Sequence, residues 1–300
     1  MGIAAASVAS MAPTGDLIPE PTADGSLTFF SADFGEWFHS RSGARLEAQQ
    51  TYVEATGLAQ RAWESPIRIL DVCYGLGYNA AAALDTLWRI NPHCRVELMA
   101  LELDARVPQR ALSHHRQQGW LPAVERTLEA LAVTHSLHTD TLSAQLRLGD
   151  ARQTIQTVAQ PVDYIFLDPF SPPHCPELWT VEFLGQVARC LAPNGILATY
   201  SCAAAVRTAL QQAGLTIGAT VATGRRWPGT AARWQGTALT PLSQQEQEHL
   251  QTRAAVPYRD PTLRGNRQDI CDRRAQEQAT SPLKPTSQWR KRWLPKSSSP

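Results

Sequence analysis

The stretch Leu70–Asn79, which reads LDVCYGLGYN, decides the fold of this chain of 300 residues. It overlaps the apolar run Ile67–Val72, which has the length of a buried strand, and it opens the Ala- and Leu-rich segment Asn79–Ile90, which predicts a helix. Gly75 and Gly77 permit a tight turn and a close approach of the backbone to a ligand, because neither carries a Cβ. The free N–H groups at the start of the helix would face a carboxylate or phosphate.

Apolar runs and helical patterns alternate along the chain up to about residue 240. Further strands are predicted at Arg95–Leu101, Gln145–Leu148, Val162–Leu167 and Gly195–Tyr200, helices at Ala44–Arg61, Pro108–Ser143, Glu177–Leu191 and Ala203–Ala213, and a closing antiparallel pair at Leu215–Val221 and Trp234–Leu239. Such alternation implies a mostly parallel sheet with helices on both faces. We therefore expect a Rossmann-like α/β domain with a seven-stranded sheet. Its predicted bounds are residues 26–240, between a flexible leader (1–25) and a C-terminal arm (241–300).

Three acidic residues stand at the ends of three successive predicted strands. Asp71 lies just before the glycines, Glu102 ends the second strand, and Asp150 follows the third. Because Ala80 occupies the third position of the dinucleotide fingerprint, the loop alone is compatible with NAD or with S-adenosylmethionine (SAM). A carboxylate at Glu102 can accept hydrogen bonds from ribose hydroxyls, and Asp150 stands where SAM-dependent enzymes place an acid beside the adenine amine. The three acids favour SAM. The alternative for Asp150 is that it only caps a helix.

The stretch Asp163–Pro173, which reads DYIFLDPFSPP, joins an acid to a stiff loop. The strand delivers Asp168 to the carboxyl edge of the sheet, and the prolines that follow hold an aromatic wall at Phe170. An alkyl ammonium, with a pKa of about 10.4, cannot attack a methyl sulfonium, and its deprotonation at pH 7 costs about 4.6 kcal/mol. A carboxylate in a water-poor pocket can orient the amine and take its proton. Asp168 is therefore the predicted catalytic residue of an N-methyltransferase; the alternative is a cap of the turn before proline.

In this order the segments resemble the methyltransferase domain of the tRNA wobble-uridine enzyme MnmC, including stand-alone relatives of that domain. The resemblance covers about residues 24–240. Its landmarks besides the glycine loop are GARLEA (43–48), GDAR (149–152), FLDPFSP (166–172), PELWT (176–180) and LATYS (197–201). Two departures lie in the loop after Asp168, where Pro169 replaces a usual glycine and Cys175 a usual asparagine.

The resemblance implies an enzyme that uses SAM to methylate the aminomethyl group of modified wobble uridine in tRNA. The residues that it places against SAM or the reacting amine are Glu47, Gly75, Gly77, Glu102, Asp150 and Asp168, with Tyr200 and Ser201 on the pocket floor. Trp179 is interpreted as a packing anchor. The flavin oxidase half of the bifunctional enzyme is expected to be absent.

Composition and charge exclude several other classes of protein. A hydrophobic fraction of 43% supplies a normal core, and a net charge of +1 excludes a uniformly basic chain. The six cysteines are scattered without metal-ligand or disulfide spacing, so we expect thiols in a reducing compartment and no metal site. No apolar run of about 18 residues exists, so we expect no membrane span and a cytoplasmic protein.

The C-terminal residues 251–300 contain eleven Lys or Arg and only four acids, which leaves about −6 on the remainder. Cations mixed with Trp289 and Trp293 are typical of RNA-binding segments, and Arg225, Arg226 and Trp227 would add to them. The equally open alternative is that the two tryptophans pack on the domain. Two other functions also remain open, namely a SAM-dependent transferase acting on a small amine, aminopropyltransferases included, and a non-catalytic RNA-binding module.

Overall fold

The computed structural model describes residues 14–222, 227–234 and 239–293. The strands within them are β1 (Leu17–Pro21), β2 (Leu27–Ser31), β3 (Glu36–Trp37), β4 (Ile67–Val72), β5 (Val96–Glu102), β6 (Ser136–His138), β7 (Leu142–Leu148), β8 (Val162–Leu167), β9 (Leu191–Thr199), β10 (Thr216–Ala219) and β11 (Thr230–Arg233). The α-helices are α1 (Ala44–Glu47), α2 (Tyr78–Ile90), α3 (Arg106–His115), α4 (Pro122–Val133), α5 (Ala151–Thr154), α6 (Val181–Arg189), α7 (Ala204–Gln212), α8 (Gln244–His249), α9 (Arg267–Thr280) and α10 (Thr286–Trp293). A π-helical segment spans Ala48–Glu54, and 3-10 turns span Leu58–Arg61, Ile155–Thr157, Pro176–Trp179 and Arg253–Ala255.

The described residues form a central sheet of eight strands in the order β10-β11-β9-β8-β4-β5-β7-β6. Its five central strands run parallel, which confirms the predicted α/β class. The predicted count of seven strands is wrong, because β6 adds an antiparallel edge strand beside β7. This short strand lies inside Pro108–Ser143, which was expected to be helical. The helix ends at Val133, and His135, with a φ of 61°, then turns the chain back toward the sheet.

The closing antiparallel pair exists, but its second strand lies earlier than predicted. β11 occupies Thr230–Arg233 rather than Trp234–Leu239, and residues 235–238 lie outside the described part of the chain. β11 fills the narrow space between β9 and β10 with Ala231 and Ala232, which are almost completely buried. A strand of small residues has a weak hydrophobic pattern. The strand was therefore predicted at the larger residues that follow it.

Alternate side chains of β4 enter two separate cores on the two faces of the sheet. Ile67 and Ile69 pack with residues of α2, α3 and α4, whereas Leu70 and Val72 pack with residues of α6 and α7. This alternation is the period of two that an extended strand imposes. It confirms that helices cover both faces.

The strand order reverses at β4, and this reversal places the ligand-binding edge. The chain proceeds from β4 outward to β5 and β7, then returns to β8 on the opposite side of β4. The Asp168 N–H, just beyond β8, donates to the Val72 carbonyl at the end of β4, with 3.0 Å between the atoms. Ligands of open α/β sheets bind at such a switch point, outside the carboxyl ends of the strands.

Segments on both sides of the predicted domain pack against it. Leu17–Pro21, expected in the flexible leader, instead forms strand β1 of a separate three-stranded sheet with β2 and β3, and Leu17 is buried in the core. In the predicted arm, Tyr258 and Ile270 belong to the core below α6 and α7. The domain bounds remain a prediction. No helix of the described residues is long and apolar enough to cross a membrane.

The two C-terminal tryptophans pack on α8. Trp289 stacks on His249 with 4.0 Å between ring centroids, and its indole N–H donates to the Gln245 carbonyl. The indole N–H of Trp293 donates to the Glu248 carboxylate over 2.7 Å. The aromatic part of this segment therefore packs on the protein, while its cations are exposed. Arg225 and Arg226 lie outside the described residues.

Candidate active site

A cavity of about 240 Å³ lies at the carboxyl edge of the central sheet. Six of the residues predicted from the sequence line it, and they are Gly75, Glu102, Asp150, Asp168, Phe170 and Tyr200. These residues lie at strand ends and in loops that are far apart in the sequence. The switch in strand order is what brings them together.

The other four predicted residues lie behind the wall of this cavity. Gly77 is the residue before α2, and Ser201 is buried beyond β9, where its carbonyl accepts a hydrogen bond from the Thr230 hydroxyl. The Glu47 carboxylate is also buried and accepts a hydrogen bond from the Ser40 N–H. Asp71 is completely buried, which raises its pKa well above the ordinary value, and the negative charges of Asp168 and Glu102 raise it further.

The glycine loop has the conformation that its two glycines allow. Gly75 and Gly77 have φ values of 56° and 87°, in the left-handed region that disfavours other residues. A Cβ on Gly77 would lie 2.5 Å from the Tyr74 hydroxyl oxygen. Cys73, with a φ of 68°, is also left-handed, although it carries a side chain. A left-handed conformation at a residue with a Cβ costs backbone strain.

Glu102 joins the glycine loop to the end of β5. One carboxylate oxygen accepts from the Gly75 N–H over 2.7 Å, and the other accepts from the N–H groups of Leu103 and Asp104 over 2.7 and 2.9 Å. Burial raises the pKa of Glu102, whereas the three N–H groups favour its charged form. Two acceptor positions per oxygen leave Oε2 one position for a ligand hydroxyl.

Asp150 is held by the second residue after it. Its Oδ1 accepts from the backbone N–H and the Nε of Arg152, and its Oδ2 accepts from Nε and Nη2. Asp150 is thus the N-cap of α5, as one of the two interpretations held. The Arg152 Nη1 continues to Asp260 and to the Gly265 carbonyl, both beyond residue 240.

Asp168 is held by the first turn of α2. The side-chain amide of Asn79 donates to Asp168 Oδ2 over 2.9 Å, and Asn79 itself is buried. The Tyr52 hydroxyl lies close to Asp168, and burial together with the Asp168 charge raises the pKa of Tyr52 well above the ordinary value. The phenol therefore stays neutral beside the carboxylate.

The loop after Asp168 is fixed by side-chain hydrogen bonds to its backbone. The Tyr200 hydroxyl donates to the Pro169 carbonyl over 2.8 Å, and the Trp179 indole donates to the Phe170 carbonyl over 2.7 Å. Trp179 is completely buried, as expected of a packing anchor. The Glu36 carboxylate in turn accepts from the Ser171 N–H. A loop held at three consecutive residues presents the Asp168 carboxylate with little freedom to move.

An aromatic cluster forms the rim of the cavity. Phe170 stacks on Phe34 with 4.5 Å between ring centroids, and Phe38 meets it edge to face at 4.8 Å. The guanidinium of Arg267 lies 5.7 Å from the centre of the Phe34 ring. The predicted aromatic wall therefore includes two residues that flank β3, with a cation of α9 against it.

The lining of the cavity is strongly acidic. The carboxylates on it belong to Glu36, Glu102, Asp104, Asp150, Asp168 and Glu177, and Arg152 is the cation among the lining residues. Such a site favours cations such as a sulfonium or an ammonium group. The carboxylate beside the glycine loop suits the ribose of a nucleoside, so the residues fit SAM. Among the described residues, no group of three or more His, Cys, Asp or Glu side chains is arranged to hold a metal ion.

Several contacts of the site could not be predicted from the sequence, because they join distant parts of the chain. Asn79 stood in the decisive stretch, but its partner Asp168 is 89 positions away. Phe34 lies in a segment without a recognisable motif, and Asp260 is 108 positions from its partner Arg152. Asn79 could have been singled out as a polar residue in the first turn of the helix that follows the glycine loop.

Comparisons with known proteins agree with this fold. A family described as S-adenosyl-L-methionine-dependent methyltransferases matches residues 114–235. The crystal structure of MNMC2 from Aquifex aeolicus superimposes with a TM-score of 0.79 at 30% identity, covering 89% of this chain and 86% of that one. An uncharacterized protein of Methanocaldococcus jannaschii is 28% identical over 81% of this chain and 67% of its own length.

The tRNA 5-methylaminomethyl-2-thiouridine biosynthesis bifunctional protein MnmC of an Azoarcus strain is 31% identical over 66% of this chain. The matched region is 33% of that protein, so the chain spans about a third of the bifunctional relative. Fold and site define a SAM-dependent methyltransferase. Within that class the chain belongs to the MnmC methyltransferase family, together with MNMC2.

Proposed function

We propose that this chain transfers a methyl group from SAM to a primary aminomethyl group on the modified wobble uridine of tRNA. The observation that carries the proposal is the placement of Asp168. Its carboxylate lines the same cavity as Gly75 and Glu102, is held by Asn79 and is followed by a fixed loop. A carboxylate in this position would contact the substrate amine next to the cofactor site.

The residues divide into two groups by task. Gly75, Gly77 and Glu102 would bind the nucleoside and the amino-acid part of SAM, with Asp71 and Glu47 supporting them from behind. Bound SAM supplies an electrophilic methyl group. The Asp168 carboxylate would orient the attacking nitrogen and accept its proton, which offsets part of the roughly 4.6 kcal/mol needed to deprotonate an ammonium at pH 7. Phe170 and Tyr200 would hold the amine against the methyl group.

Two observations support a tRNA substrate. The MnmC relatives carry that substrate in their name, and the described residues 251–293 contain ten Lys or Arg against four acids. The side chains of Arg290, Lys291 and Arg292 are exposed on α10. Cations of this kind contact phosphates, whereas Trp289 and Trp293 are already engaged on α8.

The test compares wild-type protein with Asp168→Asn, which keeps the size of the side chain and an acceptor for Asn79. SAM affinity is measured by calorimetry, and tritiated-methyl transfer is measured on tRNA that lacks wobble methylation. We expect SAM affinity within a few-fold of wild type and a transfer rate at least about 100-fold lower. Glu129→Gln, a change of an exposed acid on α4, is the control and should transfer normally.

Other outcomes would redirect the proposal. Full activity of Asp168→Asn would remove Asp168 from the mechanism. Methylation of free amines but not of tRNA would assign a small-molecule substrate, and tRNA binding without SAM affinity would identify a non-catalytic RNA-binding module.

A further inference from the structure

The acidic lining of the cavity repels the phosphates of a nucleotide substrate. Six carboxylates line it, and Arg152 is the cation among the lining residues. Arg152 is already paired with Asp150 and Asp260. A nucleotide within an RNA chain has a charged phosphate on each side of its ribose, and both would be repelled by this lining. A cation with free N–H groups at the entrance would offset that repulsion.

Arg267 is a cation at the rim of the cavity. It is the first residue of α9, and its guanidinium lies 5.7 Å from the centre of the Phe34 ring. Phe34 in turn stacks on Phe170, which follows Asp168 by two positions. Burial raises the pKa of the Cys175 thiol, another lining residue, and the nearby Arg267 charge opposes this shift. Two separate contacts therefore place the guanidinium beside the lining of the cavity.

The guanidinium of Arg267 keeps its capacity for hydrogen bonds. Within the described part of the chain, its N–H groups have neither a hydrogen-bond acceptor nor an ion-pair partner, and the side chain is half-exposed. Arg152, by contrast, donates to Asp150, Asp260 and the Gly265 carbonyl. A guanidinium has five N–H donors in a planar fork, which matches two oxygens of a phosphate. Arg267 can therefore bind a phosphate without breaking a contact of the folded protein.

The loop before α9 fixes the backbone that carries Arg267. The Gly265 carbonyl accepts from Arg152 Nη1 over 2.8 Å, and the Gly265 N–H donates to Asp260 Oδ2 over 3.0 Å. Ile270, in the first turn of α9, is buried in the core. Because this backbone is already ordered, binding through Arg267 has a low entropic cost.

We propose that Arg267 binds a phosphate that flanks the wobble nucleotide while the aminomethyl group of that nucleotide enters the cavity toward Asp168. The stacked rings of Phe34 and Phe170 connect Arg267 to the loop after Asp168. The amine and the phosphate of one nucleotide would thus contact groups of opposite charge, a carboxylate inside and a guanidinium at the rim. A free amine without a phosphate gains nothing from Arg267. This inference rests on the proposed function, because it requires a nucleotide substrate.

The test is a double-substitution cycle between Arg267 and each flanking phosphate. Methyl transfer is measured as kcat/KM on three anticodon stem–loop RNAs that carry 5-aminomethyluridine at the wobble position. One has the natural backbone, and the others have a neutral methylphosphonate on the 5′ or the 3′ side of that nucleotide. Wild-type protein should lose about tenfold or more on one of the two, because a charge-assisted hydrogen bond is lost. Arg267→Gln should lose a similar factor on the natural RNA and nothing further on that substituted RNA.

Two further variants separate the guanidinium from a general effect of charge. Arg273→Gln removes the same charge from an exposed position of the same helix. It should lower transfer to all three RNAs by one small factor and keep the wild-type loss on the substituted RNA. Arg267→Lys keeps the charge without the planar fork and should retain part of that loss. SAM affinity, measured by calorimetry, should stay within a few-fold of wild type in every variant.

Other results would contradict the inference. If Arg267→Gln shows the same methylphosphonate loss as wild type, Arg267 only packs on Phe34 and the inference is overturned. Equal transfer by wild-type protein to all three RNAs would overturn it as well. An absence of transfer from wild-type protein to the natural RNA would instead contradict the proposed function itself.

Discussion

Asn79 and Asp168 form the contact on which the proposed proton transfer depends. An amide that donates to a carboxylate favours its charged form and so lowers its pKa. In Asn79→Ala this donor is lost, and we expect the acidic limb of the rate–pH profile to move to higher pH, with a fall of about tenfold in rate at pH 7. The measurement is the rate of methyl transfer to tRNA between pH 5 and 9.

Asn79→Asp is the matched variant, because it has the same size and sets a second carboxylate against Asp168. Like charges at hydrogen-bond distance raise one of the two pKa values strongly, so its acidic limb should move further than that of Asn79→Ala. If both variants keep the wild-type profile, Asn79 is a packing residue and not a positioning residue.

The residues of the site divide by how far their partners lie along the chain. The places of Glu102, Asp150 and Asp168 on the cavity were predictable because each stands at or just beyond the end of a strand, and parallel strands present their carboxyl ends at one edge. The pairing of Asp150 with Arg152 was not predictable, since it depends on the rotamer of Arg152, which Asp260 also contacts. Sequence patterns locate functional groups along elements, but hydrogen-bond capacity is a property of the assembled site.

At the scale of elements, the glycine loop is supported by the end of α3. The Nε2 of His115 lies 2.6 Å from the Leu76 carbonyl oxygen, between the two glycines, and the Trp120 indole donates to its Nδ1. Because Nδ1 accepts, the ring is the neutral tautomer with its proton on Nε2. Burial lowers the pKa of His115 to about 4.

This lowered pKa makes the stability of the protein depend on pH. Below about pH 6.5 the unfolded chain binds a proton at this histidine, whereas the folded protein does so only near pH 4. Stability from this group is therefore present at neutral pH and lost as the pH falls between these values. From pH 7 to 5 the loss amounts to about 2 kcal/mol in the free energy of unfolding.

Urea unfolding of wild-type protein and of His115→Gln at pH 7 and 5 measures this contribution. The variant should be less stable at pH 7, because its amide fits the two hydrogen bonds poorly, and its loss of stability toward pH 5 should be smaller by about 2 kcal/mol. Equal losses in both proteins would show that His115 does not titrate between the two states.

The elements themselves were predictable where an apolar run had clear ends. β4 and β8 have the predicted bounds, since each is a buried strand of six residues at the centre of a parallel sheet. β6 was missed and β11 was misplaced, because an edge strand of three residues and a strand of small residues have weak patterns. A central strand can be predicted from its own composition, whereas an edge strand also depends on the strand that it pairs with.

At the scale of the whole molecule, the segment after residue 240 packs against the predicted methyltransferase domain. Arg207 of α7 is 2% exposed, and its guanidinium lies 2.8 Å from the Glu246 carboxylate of α8. The same guanidinium donates to the Thr230 hydroxyl and to the carbonyls of Pro228 and Gly229. A buried cation needs such compensation, because its desolvation is costly.

Glu246→Ala would leave this cation buried and unpaired, and it would also remove the capping box with Ser243 at the start of α8. We expect the free energy of unfolding to fall by about 3 kcal/mol or more. Glu246→Gln separates the two effects, since it keeps the capping acceptor but removes the charge. Chemical denaturation measures both variants. If Glu246→Ala unfolds at the wild-type midpoint, α8 does not contribute to the stability of the domain. A large loss would show that the segment after residue 240 stabilises the part of the chain that carries the cavity, which the contact of Arg152 with Asp260 also joins to it.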